Sequence, residues 1–486
     1  MKPESFAFVL FGATGDLAKR KILPALFEAH RAGLLPADGK IVGVARGELN
    51  EAGYRDWIST HVREHLAAGD IDDPAWTDFL SRISYLPLDL SAGADFMALK
   101  AVLDGVAGVR VLYLATGPSL FVPTCQALAA VGLNRDARVV LEKPLGHDLH
   151  SSNAINDAVG ELFDEDQIYR IDHYLGKESV QNLLALRFGN VLFEPLWRRE
   201  WVSNIQITIA EELGAEERGE FYDSTGALRD MVQNHLLQLL AIVAMEPPHS
   251  MDSDSVRDEK LRVLRALKPI TSQFGSTMAV RGQYREGVIR GERVPAYVEE
   301  KGVCTDSTTE TFVALKVEIE NWRWAGVPFF LRTGKRLAGR MAEIVVNFRL
   351  VPHAAIGTTG SDLPLPNRLV IRLQPNESIR LYAQAKKPGE GMNLASVYLD
   401  LAFDQFFRQT QMEAYQRLLL DVIHGRLSLF VRRDEQETAW KWVDPLLRAW
   451  GRGEGAPKPY AAGTWGPASA SALLAQHGTC WLEEEN

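Results

Sequence analysis

The chain has 486 residues, 46% of them hydrophobic and 24% charged, which is ample material for two or three domains at roughly 100–200 residues each. A net charge of −10 and a pI near 5.7 argue against a nucleic-acid partner, because phosphate backbones want a basic face. An anionic small molecule stays compatible where positive charge is concentrated, as at Lys19–Lys21 and around Lys335.

In chain order, residues 6–11 (FAFVLF) predict a buried strand, Gly12–Asp16 a turn and Leu17–Arg31 a helix that Pro24 should kink and Gly33 should end. A second strand follows at 40–45. Further strand-like runs occur at Ile83–Leu88, Val109–Thr116, Val139–Glu142 and Gln167–Ile171, with helical stretches such as Val122–Val131 and Ser152–Leu162 between them. Strands alternating with helices imply a doubly wound parallel sheet, an α/β class for residues 1–171.

The pattern then changes. Residues 204–210 alternate, with Ile205, Ile207 and Ile209 on one face, and a helical run covers about Gly226–Met245. Alternating runs at Thr311–Ile319, Ile344–Phe348, Leu369–Leu373 and Ile379–Tyr382 lack intervening helices. They predict a mostly antiparallel sheet with one solvated or helix-covered face, an α+β domain over 172–486. Two helices close the chain, about Met412–Ile423 and Glu435–Trp450, the second with Asp434 and Glu437 as an N-terminal capping pair. Segments 285–308 and 352–366 read as flexible loops. Cys125, Cys304 and Cys480 lack metal-ligand spacing, so the expectation is free thiols in a reducing cytoplasm and no metal centre. No apolar run reaches the ~18–20 residues of a membrane span, and no signal-peptide pattern is seen, so no membrane partner is expected.

The turn Gly12-Ala13-Thr14-Gly15-Asp16-Leu17-Ala18 follows the first strand and opens the first helix. Small residues there let the chain turn tightly and the backbone approach a pyrophosphate, whose charge meets the helix N-terminus. The spacing is G-x-x-G-x-x-A rather than G-x-G-x-x-G, so the signal comes from its context. Ala45-Arg46 ends the second strand, where an acidic residue would select NAD. Arg46 suits a 2′-phosphate, which predicts NADP as cofactor and NAD as the weaker alternative.

Three further segments carry polar chemistry. Glu142-Lys143-Pro144-Leu145-Gly146 lies just after a strand, where open sheets bind ligands. Arg170 to Glu178 (RIDHYLGKE) holds His173, Tyr174 and Lys177; one turn of helix would align His173 with Lys177 as an anion clamp. Asp230 to His235 (DMVQNH) opens the apolar helix, and a histidine is the usual base for a hydroxyl proton near neutral pH. Asp230 and His235 would lie about 140° apart on a regular helix, so both can face one ligand only if the helix starts between them or deforms.

Together these stretches closely resemble the glucose-6-phosphate dehydrogenase family: GATGDLAKRK at 12–21, EKPLG at 142–146, RIDHYLGKE at 170–178, RDMVQNH at 229–235, WRWAGVPFFLRTGKRL at 322–337 and WKWVDPLLRAW at 440–450. The resemblance implies oxidation of D-glucose 6-phosphate at C1 to 6-phospho-D-glucono-1,5-lactone with hydride transfer to NADP, the first oxidative step of the pentose phosphate pathway. By the same resemblance His235 is the general base and Asp172 its orienting partner. His173, Tyr174 and Lys177 hold the phosphate; Glu211, Asp230, Lys335 and Arg340 bind the sugar. Lys143 sits where sugar and nicotinamide meet, before a cis proline bond. Gly12, Ala13, Thr14, Gly15, Asp16, Leu17, Lys19, Arg46, Leu88 and Asp89 contact the cofactor. The expected layout is an NADP-binding Rossmann domain over 1–171 and a substrate-binding and oligomerisation domain over 172–486, assembled as a homodimer or homotetramer. Residues 115–118 read Ala-Thr-Gly-Pro where many relatives carry a double proline. Two rivals share parts of the pattern. Another Rossmann-type sugar oxidoreductase would not be expected to pair RIDHYLGKE with DMVQNH. An inactive NADP-binding relative would have been supported by loss of Asp172, Lys177 or His235, and all three are present.

Overall fold

The structure, a computed structural model, describes residues 5–66, 73–90, 96–106, 108–270, 278–353, 356, 365–390, 392–402 and 412–482. It has two compact units. The first comprises Met1–Glu178, Pro248–Asp258 and Gln411–Glu437; the second comprises Ser179–Pro247, Glu259–Thr410 and Thr438–Asn486.

In the first unit, β1 (Phe6–Phe11), β2 (Lys40–Ala45), β3 (Ile83–Pro87), β4 (Val109–Leu114), β5 (Ala137–Leu141) and β6 (Ile168–Ile171) form a parallel sheet. The order is β3-β2-β1-β4-β5-β6, the arrangement of dinucleotide-binding folds. The continuous apolar run of β1 follows from helices on both faces. Phe6, Phe8 and Leu10 enter one core, and Ala7, Val9 and Phe11 the other. The first helix is not a uniform α-helix. Ala18–Ile22 is a π-helical turn and Leu23–Arg31 is α-helical. Pro24 lies inside the helical path, directly after the π-helical turn, and its missing N–H removes one intrahelical bond where the winding changes from π to α.

Two stretches remote in sequence belong to this unit, whereas the sequence reading draws a single cut after residue 171. Helix Ala414–His424 adds Leu418, Leu419, Val422 and Ile423 to the core that holds Phe8. The short strand β17 (Phe430–Val431) pairs antiparallel with β6. Helix Arg433–Gly451 starts earlier than expected, so Asp434 and Glu437 lie inside it and do not form its cap. The Glu435 carboxylate takes the Arg432 N–H at 3.3 Å, while Asp434 and Glu437 pair with the side chains of Arg432 and Arg433 at 2.8 and 2.6 Å.

The second unit is built on β7 (Val202–Ala210), β8 (Ala279–Arg285), β11 (Phe312–Val317), β12 (Phe329–Gly334), β13 (Met341–Phe348), β14 (Arg368–Gln374), β15 (Ser378–Lys386), β16 (Leu394–Ala402) and β18 (Lys458–Ala461). They order as β16-β15-β14-β13-β7-β12-β11-β8-β18. The pairs β7–β12 and β8–β18 are parallel and the others antiparallel. The polar face of β7 is buried, not solvated: Gln206 donates to the Cys480 carbonyl at 2.8 Å and accepts the Leu482 N–H at 3.0 Å. Residues 285–308, read as a flexible loop, contain the hairpin β9 (Gly287–Ile289) and β10 (Glu292–Val294). A buried tyrosine, Tyr297, pins the stretch by donating to Asp223 at 2.9 Å. Of 352–366, residues 354–355 and 357–364 lie outside the described residues.

The run Gly226–Met245 is not one helix: helix Gly219–Ala227 leads into a π-helical stretch Leu228–Leu236 and then helix Leu237–Ala244, which is wholly buried. A buried helix end needs partners for its last carbonyls. Arg187 donates to Ile242, Val243 and Met245, Trp197 to Val243 and Trp324 to Ala244, all at 2.7–3.1 Å. Cys125 is buried and its thiol is pushed up to about 12 by desolvation; Cys304 and Cys480 are exposed, and none is in a disulfide. Among the described residues, no helix is long and apolar enough to cross a membrane.

Candidate active site

In the first unit, the residues singled out from the sequence follow the C-terminal ends of parallel strands, where doubly wound sheets bind ligands. Gly12 follows β1, Arg46 follows β2, Leu88 and Asp89 follow β3, Lys143 follows β5 and Asp172 follows β6. The strand order reverses between β1 and β4, and the glycine turn lies at that switch point.

Gly12 has φ +80°, and a Cβ there would lie 2.6 Å from the Ala115 carbonyl oxygen. Only glycine fits. The N–H groups of Gly12 and Ala13 both reach the Val44 carbonyl, at 2.9 and 3.1 Å, and the Gly15 N–H closes the turn on Gly12 at 2.9 Å. The helical path then begins at Asp16, and Lys19 donates its N–H to the Gly15 carbonyl. A bare backbone entering a helix N-terminus fits a pyrophosphate. Thr14, Gly15 and Leu17 are half-buried and Asp16 is exposed, with ion pairs to Lys19 and Arg20 at 3.7 and 2.8 Å. The variant loop at 115–118 packs against this turn, and Pro118 opens a short 3₁₀ turn after it.

Two tyrosines that the sequence reading passed over shape the same edge. Gly43 leaves room for the Tyr54 ring, which a Cβ would meet at 2.5 Å, and the Tyr54 hydroxyl donates to the Ala13 carbonyl at 3.1 Å. Tyr85 donates to the carbonyls of Ala45 and Gly47 at 3.2 and 2.7 Å and so brackets the exposed Arg46. The Leu88 N–H reaches the Ala45 carbonyl at 2.9 Å, which places exposed Asp89 beside the end of β2.

Around Lys143 the arrangement is tighter. The Lys143–Pro144 bond is cis. Glu142 is buried, and desolvation raises its carboxyl above the ordinary range. It accepts from Tyr113 at 2.6 Å and from Tyr415 at 3.3 Å. Tyr415 comes from the helix starting at Ala414, and its ring stacks parallel to His173 at 6.2 Å between centroids. Nothing in its local sequence marks it; only the return of residues 411–437 to this unit brings it here. Residues 172–177 form turns rather than the helical turn expected for aligning His173 and Lys177, and the helix starts at Glu178. Gly176 leaves room for a close approach there: a Cβ would lie 2.8 Å from the Ala414 carbonyl oxygen. The turns nevertheless gather the donors. Asp172, buried, accepts the Tyr174 N–H at 2.9 Å; His173 lies 4.8 Å from the Tyr174 ring; and the Lys177 ammonium sits 4.4 Å over that ring.

The second unit positions its share of residues by strand register. Glu211 and Lys335 follow the neighbouring parallel strands β7 and β12, and their side chains pair at 2.7 Å. Met341 of β13 pairs with Ala210, so exposed Arg340 and half-buried Glu211 are each one residue beyond that pair. The Lys335 ammonium also lies 4.9 Å from the ring of Tyr222. Tyr222 is buried, and its phenol is held well above its usual range by desolvation first and then by the carboxylates of Asp230, Glu211 and Glu310. Sequence reading missed this tyrosine, which has no motif around it.

Asp230 and His235 both lie in the π-helical stretch Leu228–Leu236. Its i→i+5 hydrogen bonding brings residues five apart towards one face. The deformation required for both to face one ligand is therefore present. His235 is fully buried and Asp230 is half-buried.

Residues 9–182 match the family model described as the NAD binding domain of glucose-6-phosphate dehydrogenase, and residues 184–482 match that of its C-terminal domain. The chain is 49% identical to the glucose-6-phosphate 1-dehydrogenase of Rhizobium meliloti (strain 1021), over 98% of each chain. It is 50% identical to that of Mycolicibacterium smegmatis, over 98% of this chain and 97% of the relative. A solved glucose-6-phosphate dehydrogenase in complex with its substrate glucose-6-phosphate superposes with a TM-score of 0.90 at 38% identity, over 98% of both chains. The crystal structure of glucose-6-phosphate 1-dehydrogenase from Mycobacterium avium gives 0.86 at 37% identity, over 100% of both. With both domain models matched in order and full-length relatives near half identity, the chain belongs to the glucose-6-phosphate dehydrogenase family.

Proposed function

We propose that this chain oxidises D-glucose 6-phosphate at C1 to 6-phospho-D-glucono-1,5-lactone, with NADP as hydride acceptor. The observation that carries the reading is the match to both domains of the family along the whole chain, with RIDHYLGKE and DMVQNH intact. When bound, the nicotinamide would supply the acceptor for the C1 hydride; the protein's own work is binding, orientation and proton removal.

His235 is assigned as the base that takes the C1 hydroxyl proton, and Asp172 as the group that orients its imidazole and stabilises it once protonated. Burial of His235 shields that proton from water. His173, Tyr174 and Lys177 bind the 6-phosphate, a role supported by three donors on one turn. Glu211, Asp230, Lys335 and Arg340 bind sugar hydroxyls; the Glu211–Lys335 pair supplies an acceptor and a donor side by side. Lys143 borders both ligands. Gly12, Ala13, Thr14, Gly15, Asp16, Leu17 and Lys19 hold the pyrophosphate, and Leu88 and Asp89 flank the cofactor. Arg46, exposed at the end of β2, faces the 2′-phosphate, and this is the support for NADP over NAD.

The layout proposed is an NADP-binding domain followed by a substrate-binding and oligomerisation domain, in the cytoplasm, where three unpaired cysteines are stable. The chain is read as a homodimer or homotetramer. Strand β16 supports this: it is an edge of the sheet among the described residues, and Val397, Leu399 and Leu401, 44%, 69% and 38% exposed, form an apolar stripe on one of its faces that a second copy could cover.

The deciding assay is NADPH formation by purified protein with glucose 6-phosphate, compared with glucose and other sugars. Phosphate-dependent turnover is expected; activity indifferent to the phosphate would sink the assignment.

A further inference from the structure

The helical stretch bearing Asp230 and His235 begins at a break. Gly226 has φ 70° and ψ 167°, far from helical values, so the chain stops at the end of one helix and restarts at Ala227. A restarted helix presents N–H groups with no partner in the preceding turn. Local capping residues usually accept one of them, yet no side chain at Ala227 can. The acceptors come from residue 310, more than eighty positions away. The Glu310 carbonyl accepts the Ala227 N–H at 3.0 Å, and its carboxylate Oε1 accepts the Leu228 N–H at 3.1 Å.

The fit is close. Glu310 is 5% exposed, and a Cβ on Gly226 would lie 2.5 Å from its Oε1, so the break needs glycine for room as well as for conformation. Desolvation pushes the Glu310 carboxyl up, opposed by the hydrogen bond from Leu228 and by the charges of Arg229 and Arg281. The next residue extends the connection. The Thr311 carbonyl accepts the Lys335 N–H at 2.9 Å, and Tyr460 donates to the Lys335 carbonyl at 2.7 Å and to that of Thr311 at 3.4 Å. Residues 310–311 thus tie the start of the Asp230–His235 stretch to the backbone of Lys335, which pairs with Glu211.

We propose that Glu310 is a positioning residue: by accepting the Leu228 N–H across the Gly226 break, its buried carboxylate sets the start, and hence the phase, of the π-helical stretch that carries Asp230 and His235. His235 lies five positions after Asp230, so a change in where the π winding begins rotates one away from the other. The proposal rests on the reading of His235 as the base. Misplacing a reacting group by about 1 Å costs on the order of 10²-fold in rate.

The test uses the full-length enzyme with three variants. Glu310→Ala removes the acceptor, Glu310→Asp withdraws it by one methylene with the charge kept, and Glu310→Gln keeps an acceptor oxygen in place without the charge. Expected for Glu310→Ala is a kcat with glucose 6-phosphate lower by roughly ten- to a hundredfold, an unchanged KM for NADP, and faster amide exchange across 227–236. Glu310→Gln should rescue kcat to within about threefold of the parent, a rescue that general loss of packing would not show. A folded Glu310→Ala enzyme with parental kcat overturns the proposal, as does a Glu310→Gln enzyme as impaired as Glu310→Ala. Should Glu310→Ala not fold, parental kcat in Glu310→Asp overturns it instead. Amide exchange does not pass through His235. Normal turnover in His235→Asn with faster exchange in Glu310→Ala would remove the base assignment and leave the cap; unchanged exchange would remove the cap.

Discussion

The two sheets of this molecule place the proposed site residues in opposite ways. The first is parallel apart from β17, and delivers Gly12, Arg46, Leu88, Lys143 and Asp172 from short turns after β1, β2, β3, β5 and β6. These turns are short, and Gly12 is held by its positive φ and by close contacts with Val44 and Ala115 at the ends of the neighbouring strands. The second is mixed and draws Glu211 and Lys335 together from strands more than a hundred residues apart, while Asp230 and His235 come from a helix that must deform. A strand-end turn is a local device that tolerates change elsewhere. A register pair or a deformed helix is a collective one, and it fails when any supporting segment shifts. On this comparison, damage at the Gly12 turn or Arg46 should appear in cofactor binding, and damage to the deformed helix of the second unit in turnover.

The largest effect is expected at His235. His235→Asn should lower kcat by roughly 10²–10⁴-fold, the usual contribution of a general base, with KM for NADP kept. Turnover like the parent's would remove the residue from that role, and a loss confined to cofactor KM would reverse the comparison. Next comes Gly12→Val, which places a branched side chain at φ +80° and 2.6 Å from a carbonyl oxygen. A strain of about 1–3 kcal/mol predicts a KM for NADP raised about ten- to a hundredfold and a sugar KM little changed. Equal effects on both would show that the turn is not the separable device described above.

Arg46→Ala sharpens the same point. Losing one charge-assisted contact to the 2′-phosphate should raise KM for NADP about tenfold, near 1.4 kcal/mol, and KM for NAD hardly at all. Equal losses would refute the 2′-phosphate assignment.

The smallest effect concerns Glu142. Its carboxyl is raised in the folded protein, chiefly by desolvation. A raised carboxyl favours the folded state below its unfolded pKa, about 4.3, and that contribution is lost as pH rises through the folded value. The parent's thermal midpoint should therefore fall more steeply with rising pH than that of Glu142→Gln. Parallel curves would exclude Glu142 as the group responsible.

Much of the first unit was legible because its signals are local. The FAFVLF run, the glycine turn and Arg46 each state their surroundings within a few residues, and the strand alternation states the sheet. The Leu17–Arg31 and Gly226–Met245 runs read as continuous helices because apolar spacing does not distinguish a π turn from an α turn over so short a stretch. The packing of Gly176 against the Ala414 carbonyl is not legible at 172–177, because it joins residues far apart in sequence. Tyr222 and Tyr415 carried no signal for the same reason.

By itself, the sequence determined the class of each half, the phosphate turn, and the inventory of acids, bases and cations, since these follow from periodicity and residue chemistry. Tertiary structure alone decided that residues 411–437 join the first unit, that Glu211 meets Lys335, and that Asp230 and His235 lie in one π-helical stretch whose Leu228 N–H bonds to Glu310. The physical reason is that each of these is a balance between a local preference and hydrogen bonds or packing supplied from elsewhere in the chain. Only the folded molecule brings both sides of that balance together.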